Sequence, residues 1–203
     1  DIILNDKIIF EKIISQYIRV PKNYGLISNG MIFPLQSEVK INNIDSIISM
    51  CKETNGLVIK PVVGSQGRGV KILHITDNII YLNGRETDRR ELESIIFSLD
   101  NSIITEYIEQ GEYSHKLYPG STNTMRIVAM VDPDTHRPFI AGAAQRIGGN
   151  ASGGLDNFAR GGYSAGIDLD SGELSAAVTR LETQSLFWHD IHPDTGSQIK
   201  GVK

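Results

Sequence analysis

The stretch that decides the fold prediction covers residues 59–70 and has the sequence Ile59-Lys60-Pro61-Val62-Val63-Gly64-Ser65-Gln66-Gly67-Arg68-Gly69-Val70. Its glycines allow positive φ angles, so backbone N–H groups can point at an anion. Lys60 ends an apolar strand pattern and can place a positive charge on a phosphate, and Arg68 can supply a second. A strand pattern follows at 70–75, whereas a P-loop ends in Gly-Lys-Ser/Thr and continues into a helix. The stretch predicts a glycine-rich hairpin over a ligand; a flexible surface hairpin with a solvated lysine is the alternative.

Hydrophobic periodicity on both sides of this hairpin predicts a chain of mixed helices and strands. Helices are predicted at 5–18, 43–54 and 87–99, and strands at 57–60, 70–75, 79–82 and 103–108. After residue 108 the pattern is mostly β, with strands at 125–131 and 139–145 and a hairpin of 161–169 and 173–180. This order predicts the α+β class, in two lobes joined near Ile108.

The composition excludes several classes of protein. The 203 residues are 40% hydrophobic and carry a formal net charge of −4, which argues against a nucleic-acid partner. The single cysteine, Cys51, excludes an internal disulfide and fits a reducing compartment. No apolar run approaches the ~20 residues of a membrane span, so we expect a cytoplasmic protein without one. The chain starts at Asp1 without methionine and stops at Lys203 without a closing element, so we expect a piece of a longer protein.

Two further motifs follow the hairpin. One is Leu117-Tyr118-Pro119-Gly120-Ser121-Thr122-Asn123-Thr124-Met125-Arg126-Ile127-Val128; the other joins Gln145-Arg146-Ile147-Gly148 to Leu155-Asp156-Asn157-Phe158-Ala159-Arg160-Gly161-Gly162. These motifs resemble the ATP-grasp superfamily, and so does the order of the elements, which is helix, lysine-bearing strand, glycine hairpin, strand, helix and strand. Within it they are most similar to the sugar-transfer-associated family, which is related to α-L-glutamate ligases. The resemblance covers nearly the whole chain, from about Asn5 onward.

The resemblance implies an ATP-grasp fold with a small β-rich lid lobe and part of a larger antiparallel lobe, truncated in this chain. It divides the chain into a leading helical segment at 1–54, a small lobe with the glycine hairpin at 55–108, and the N-terminal part of the large lobe at 109–203. In this fold the hairpin covers the triphosphate, and the strand that leaves the small lobe presents backbone groups to adenine.

The same resemblance implies a set of ATP-binding residues. The set is Lys7, Lys60, Gly64, Ser65, Gln66, Gly67, Arg68, Gly69, Glu106, Tyr107, Ile108 and Glu112. Lys7 resembles an early lysine that reaches the phosphates, with a solvated helix charge as its alternative, and Lys60 resembles the lysine on the α-phosphate. Residues 106–108 resemble the hinge, where a carbonyl accepts from the adenine amino group and the N–H of Ile108 donates to the ring. Glu112, or alternatively Glu109, is expected to bind the ribose hydroxyls.

Three residues are expected in catalysis. Arg126 and Arg146 lie in strand patterns that would form the floor of the large lobe, where a guanidinium fork matches a γ-phosphate or acyl-phosphate. A solvent-facing arginine is the alternative for each. Asn157 resembles an asparagine beside nucleotide or acceptor, and an Asx turn before Gly161-Gly162 is its alternative. Asn123 is expected to orient the site, with the same alternative.

Magnesium ligands are expected mainly beyond Lys203, because ATP-grasp enzymes commonly use an aspartate and a later Glu-x-Asn. After Arg160 the acidic residues are Asp168, Asp170, Glu173, Glu182, Asp190 and Asp194, and none lies in a Glu-x-Asn. We therefore expect no complete metal site in this chain. The segment His189-Asp190-Ile191-His192-Pro193 could suggest zinc, but a surface loop is the preferred interpretation.

Two other residues stand out by type. Cys51 lies on an apolar helix face and is expected in the core. Trp188, next to Phe187, is either a buried anchor or part of a partner-facing patch, and the sequence leaves both alternatives open.

The resemblance implies ATP-dependent ligation of a carboxylate to an amine or hydroxyl through an acyl-phosphate. Positioning and charge neutralisation by Mg²⁺, lysine and arginine would supply most of the catalysis. The expected partner is a small-molecule or sugar-linked carboxylate in polysaccharide biosynthesis. The alternatives are a nucleotide-binding or regulatory module without ligase activity, and a kinase-like phosphotransferase. The chain alone is expected to be inactive, because its metal ligands are incomplete.

Overall fold

The computed structural model describes residues 2–180 and 185–203, and the chain divides into two compact units, Asp1–Ile108 and Glu109–Lys203. Each unit is built on one antiparallel sheet with few helices, which confirms the predicted α+β class. None of the described helices has the length and apolar character that crossing a membrane requires.

In its described part, from residue 2 onward, the first unit contains four helices and seven strands. Its helices are α1 (Ile2–Asn5), α2 (Lys7–Ile14), α3 (Ile44–Glu53) and α4 (Arg89–Phe97). Its strands are β1 (Asn23–Ser28), β2 (Met31–Pro34), β3 (Leu57–Pro61), β4 (Lys71–Thr76), β5 (Ile79–Leu82), β6 (Arg85–Thr87) and β7 (Ser102–Glu106). The strands form one sheet in the order β2-β1-β7-β3-β4-β5-β6.

Strand β7 lies inside this sheet, with β1 on one side and β3 on the other. Its residues Ile103 and Ile104 are both fully buried, as expected for an apolar run in a strand that is covered on both faces. The pairing of β1 with β7 places parts of 1–54 and of 55–108 in one sheet. The three-part domain division stays a prediction.

Helices α3 and α4 contribute to the core of the first unit. The buried core residues are Tyr24, Ile27, Ile32, Ile41, Ile44, Ile47, Cys51, Leu57, Ile59, Leu73, Ile80, Leu92, Ile96 and Ile104. Cys51 is buried as predicted, and its thiol donates to the Leu73 carbonyl at 3.3 Å. Burial raises the pKa of this thiol to about 11.

The helix predicted at 5–18 is shorter in the structure. It is interrupted at Asp6, whose side chain caps α2 by accepting from the backbone N–H groups of Ile8 and Ile9 at 2.9 and 3.0 Å. Helix α2 ends at Ile14, well before Pro21. No residue within α2 is buried, so packing does not extend this helix along the predicted apolar stripe.

The second unit contains one α-helix, five strands and two short 3₁₀ helices in its described part. Its elements are α5 (Glu112–Leu117), β8 (Met125–Val131), β9 (Pro138–Ile147), 3₁₀ helices at Asn150–Ser152 and Phe158–Arg160, β10 (Tyr163–Ile167), β11 (Leu174–Arg180) and β12 (Leu186–His189). The strand order is β12-β11-β10-β9-β8. Its buried core residues are Leu117, Tyr118, Ile147, Tyr163, Ala165, Leu174, Ala177 and Ile199.

The surface-loop prediction is wrong for His192, which is fully buried. Its Nε2 lies 2.8 Å from the carbonyl oxygen of Gly148, and its Nδ1 lies 3.2 Å from the N–H of Asp194. A neutral ring that donates at Nε2 and accepts at Nδ1 satisfies both contacts. The ring also stacks on Tyr118 at 5.2 Å, so the histidine packs as an aromatic residue whose polar atoms have backbone partners.

The cap of α3 gives a testable contribution to stability. Asn43 accepts from the N–H of Ser46 at 2.9 Å, and the Ser46 hydroxyl accepts from the N–H of Asn43 at 3.0 Å. We expect Asn43→Ala to lower the free energy of unfolding by about 1 kcal/mol, measured by urea unfolding followed by circular dichroism. The matched control is Asn42→Ala at the exposed neighbouring position, with a change within about 0.5 kcal/mol. Equal losses in the two variants would contradict the assigned cap.

Candidate functional site

A cleft of about 300 Å³ in the first unit brings Lys7 and Lys60 together. Lys7 begins α2, and Lys60 lies near the end of β3. The other lining residues are Leu4, Phe10, Glu11, Val20, Pro21, Asn23, Ile103 and Thr105. The cleft therefore combines apolar side chains with two ammonium groups and one carboxylate, that of Glu11, and its net positive charge suits an anion on a partly apolar molecule.

Lys7 joins α2 to the start of the glycine loop. Its backbone N–H donates to the Val62 carbonyl at 3.1 Å, and its ammonium donates to the carbonyls of Val62 and Gly64 at 3.2 and 3.1 Å. The Asn23 side chain donates to the Lys7 carbonyl at 3.4 Å. Burial lowers the pKa of Lys7, while the nearby Asp6 carboxylate raises it. Lys7 thus holds the entry of the loop beside the cleft.

Lys60 is half-buried, and within the described residues no hydrogen bond or ion pair reaches its ammonium. Burial lowers the pKa of Lys60, and the positive charge of Lys7 lowers it further. Glu11 lines the same cleft without forming a described ion pair to either lysine. An incoming anion would therefore meet two positive charges that repel each other, and its binding would relieve that repulsion.

The loop between β3 and β4 has the backbone that its glycines allow. Gly64, Gly67 and Gly69 have φ angles of 144°, 66° and 73°, and Gln66 has 61°. At Gly69 a Cβ atom would lie 3.1 Å from the Pro61 ring, so space as well as φ favours glycine there. Gly64–Gly69 is mostly exposed, and contacts of these residues with phosphate stay a prediction.

The predicted hinge residues end the first unit. Glu106 is tied to Lys22: its N–H donates to the Lys22 carbonyl at 2.9 Å, and its carboxylate accepts from the Lys22 N–H at 3.1 Å. The Tyr107 ring lies edge-on to His74 with centroids 4.4 Å apart, and Ile108 is exposed. Adenine contacts by these residues stay a prediction.

Glu112 lies in the second unit, in the first turn of α5. Its exposed carboxylate pairs with Lys116 at 2.7 Å, and the hydrogen bond from that ammonium lowers the pKa of Glu112. Its ribose contact stays a prediction.

Arg126 and Arg146 lie on neighbouring strands of the second unit, and they form a second positive cluster. Arg146 is half-buried; its Nη2 donates to the Asp156 carbonyl at 3.3 Å, and its guanidinium lies 5.6 Å from the Phe158 ring centroid. Its buried Nε has no hydrogen-bond partner among the described residues. Burial lowers the pKa of Arg146; Asp156 raises it and Arg126 lowers it. Arg126 is exposed on β8.

The two asparagines have structural partners. Asn157 caps the Phe158–Arg160 helix, and its side-chain oxygen accepts from the Ala159 N–H at 2.9 Å. Asn123 is buried, donates to the carbonyls of Ser114 and Tyr118, and accepts from Ser121 and from the N–H of Gly148. Asn123 therefore joins the end of α5 to the loop that follows β9, and its orienting role, like a catalytic role of Asn157, stays a prediction.

The family follows from comparison with known proteins. A family model described as sugar-transfer associated ATP-grasp matches residues 2–203. The chain belongs to this family. Its two antiparallel sheets with few helices are consistent with a partial ATP-grasp fold. Neither a curated protein nor a solved structure matches the chain.

ATP-grasp domains generally bind ATP and Mg²⁺. In residues 2–180 and 185–203, no three His, Cys, Asp or Glu side chains converge to hold a metal ion. Asp156 accepts from the N–H and the hydroxyl of Thr124, and Asp168 accepts from Asp170 and Ser171 within an exposed turn. Glu182 lies outside the described residues. The expected magnesium ligands beyond Lys203 stay a prediction.

Several neighbours of the clusters were not singled out from the sequence. Asp156 bonds Thr124 and Arg146, and Phe158 covers the guanidinium of Arg146. Gln145 is fully buried, donates to two backbone carbonyls, and its Oε1 has no described partner. The alternation of β9 places Gln145 on the inward face, where a polar residue is conspicuous. The alternation in the sequence of β9 could therefore have indicated that Gln145 is buried.

The partial burial of Lys60 gives a pH-dependent prediction for the chain without nucleotide. The pKa of Lys60 in the folded state lies below 10.5, its value in the unfolded state. At pH values between these two pKa values the folded state binds fewer protons than the unfolded state, so the free energy of unfolding rises with pH in that range. We expect Lys60→Met to raise the melting temperature at neutral pH, with an advantage that shrinks as pH approaches 10.5. Lys52→Met, at an exposed lysine, is the control. A gain that does not change with pH would contradict this account.

Proposed function

We propose that this ATP-grasp chain binds ATP in the cleft lined by Lys7 and Lys60, as part of an ATP-dependent ligase that activates a carboxylate as an acyl-phosphate. The observation that carries the proposal is the meeting of two ammonium groups at one cleft, with Lys60 partly desolvated and without a described counter-charge. Polyphosphate is the biological anion that such a pair suits best, because each ammonium can neutralise a separate phosphate oxygen.

The remaining ATP contacts in the proposal are made by backbone as much as by side chains. The loop from Gly64 to Gly69 covers the phosphates with its N–H groups, assisted by Ser65 and Arg68. Adenine contacts the chain at 106–108. Glu112, or Glu109, accepts from the ribose hydroxyls. The attachment of Lys7 to the loop carbonyls supports this arrangement, since it holds the loop entry at the same cleft.

The chemistry in the proposal has two steps. A carboxylate oxygen of the substrate attacks the γ-phosphorus, and the bond from that phosphorus to the bridging oxygen of ADP breaks. A nucleophilic amine then attacks the acyl carbon, the carbon–oxygen bond to phosphate breaks, and the amine releases a proton to solvent. Arg126 and Arg146 neutralise the phosphoryl group and the acyl-phosphate. Asn157 orients the acceptor with its amide nitrogen, since its oxygen caps a helix.

The substrate in the proposal is a sugar-linked or small-molecule carboxylate in polysaccharide assembly, used in the cytoplasm. The description of the family as sugar-transfer associated supports a sugar-related role. The unpartnered Nε of Arg146 supports an anionic substrate, because a buried donor without an acceptor gains a hydrogen bond when a carboxylate or phosphate binds.

Binding of ATP to residues 1–203 tests the nucleotide site. We expect Lys60→Met to weaken ATP binding about ten- to a hundredfold, the effect of losing one charge-assisted contact of roughly 1.5–3 kcal/mol. Titration calorimetry measures this, with Lys52→Met as a control that removes the same charge from an exposed site and keeps the parent's affinity. Equal affinity in Lys60→Met and the parent removes Lys60 from the ATP site.

The reaction type is tested in the complete gene product with Mg²⁺, a candidate carboxylate and an amine. A ligase releases ADP and phosphate only when both substrates are present. A kinase-like enzyme yields ADP and a stable phosphorylated product without free phosphate, and a binding module holds ATP without substrate-dependent turnover. Either of the last two results overturns the ligase proposal.

A further inference from the structure

We propose that the face of the second sheet that carries Arg146 and Trp188 binds an acidic saccharide, with a sugar ring stacked on Trp188 and a carboxylate directed to Arg146. The proposal deepens the ligase function proposed above, because it names a position and a chemical class for the substrate. It rests on three observations in the second unit: a cross-strand row, an exposed tryptophan at one end of the row, and at the other end a guanidinium whose Nε has no described hydrogen-bond partner.

One row of paired residues crosses four strands, from β9 to β12. It consists of Arg146, Ser164, Val178 and Trp188, each paired with the next. Directly paired residues point to the same face of a sheet. The alternate residues Ala165 and Ala177 lie in the buried core, so the row lies on the opposite face, where Phe158 packs against Arg146 and Trp188 is exposed.

The tryptophan end of the row is a surface on which a ring can stack. Trp188 is 65% exposed, and it is the sole tryptophan of the chain. A pyranose ring has a face of C–H groups that packs on an indole, while its hydroxyls remain in water. The residues between the two ends, Ser164 and Val178, are half-buried and have short side chains, so neither projects far above the sheet between Trp188 and Arg146.

The arginine end of the row is suited to an anion. The buried Nε of Arg146 has no described partner, and Arg126 lies close enough for its charge to lower the pKa of Arg146. Arg126 pairs with Ala144, and Ala144 with Gly166, which places Arg126 on the same face in the next row. A carboxylate there gains a hydrogen bond and relieves the repulsion between the two guanidinium groups.

The distance between the two ends selects the size of the ligand. Three strand spacings separate Arg146 from Trp188, or about 14 Å along the row. A short oligosaccharide can span that distance. A protein partner would favour a continuous apolar face, whereas this row changes from indole to valine, serine and guanidinium. The family description as sugar-transfer associated agrees with a saccharide.

Ligand binding at Trp188 can be followed by tryptophan fluorescence, because the chain has one tryptophan. In residues 1–203 without ATP, titration with digalacturonic acid is expected to give a saturable blue shift of Trp188 emission, because stacking removes water from the indole. The methyl ester of the same disaccharide keeps the rings but removes the carboxylate charges, and is expected to bind at least about tenfold more weakly. Failure of digalacturonic acid to give a saturable shift overturns the proposal, and so does equal binding of the ester.

Variants separate stacking from general effects of the strand. We expect Trp188→Leu to weaken digalacturonic acid binding at least about tenfold by calorimetry, with Trp188→Phe retaining most of the affinity. Phe187→Leu is the matched control, since Phe187 is 44% exposed on the other face of the same strand and should change the affinity less than about twofold. Unchanged binding in Trp188→Leu, or an equal loss in Phe187→Leu, overturns the saccharide site.

Two further measurements keep this proposal distinct from the nucleotide proposal. Trp188→Leu should keep the parent's ATP affinity, and Lys60→Met should keep the parent's saccharide affinity. Saccharide binding that survives in a chain without ATP affinity therefore supports this site even if the ligase proposal fails. A second copy of the chain is the other molecule that could cover Trp188, and sedimentation of the parent and of Trp188→Leu tests it. If the parent self-associates, Trp188→Leu does not, and no saccharide binds, the face is an interface between two copies and the proposal is overturned.

Discussion

The first unit depends on the insertion of β7 between β1 and β3. This pairing joins strands that are far apart in the sequence, with Asn23 opposite Thr105 and Lys60 opposite Ile103. Because paired residues share a face, the insertion brings the side chains of these four residues to one wall of the cleft. The neighbouring residue Ile104 points to the other face and packs in the main core. One strand thus supplies part of the core and part of the candidate site.

Each unit also contains a pair of positive side chains in which one member is partly withdrawn from water. Lys60 is accompanied by Lys7, and Arg146 by Arg126, and in both pairs burial is the main cause that lowers the pKa of the withdrawn group. Placing two like charges together and burying one of them lowers the free energy of unfolding. Residues that lower stability in this way often serve binding, so each pair indicates a binding site. A bound anion would offset the cost by pairing with both charges.

The sequence predicted those elements whose signals are local. Helix α3 begins after Asn43 because the cap and the apolar stripe agree, and the glycine loop adopts the positive φ angles that its spacing allows. Helix α2 ends early because none of its apolar side chains is fully buried, so packing does little to extend it. His192 could not be predicted as buried, since its two partners are backbone groups brought close by folding.

The sequence indicated which residues belong to the candidate site, but it did not indicate most of the contacts that these residues make. Motifs pointed to Lys7, Lys60, Arg126 and Arg146, which the structure arranges in two positive clusters, one in each unit. The bonds of Lys7 to the carbonyls of Val62 and Gly64 depend on the fold, and no spacing rule indicates them. The same is true of Asn123, whose side chain bonds four residues between 114 and 148.

The position of Cys51 has a practical consequence for spectroscopy. Its thiol is buried, bonded to a carbonyl and protonated up to a pKa of about 11, so little thiolate is available for alkylation at neutral pH. A cysteine introduced on an exposed strand would react with a maleimide dye far faster than Cys51. Site-specific labels for distance measurements between the two units can therefore be attached without first removing the native thiol.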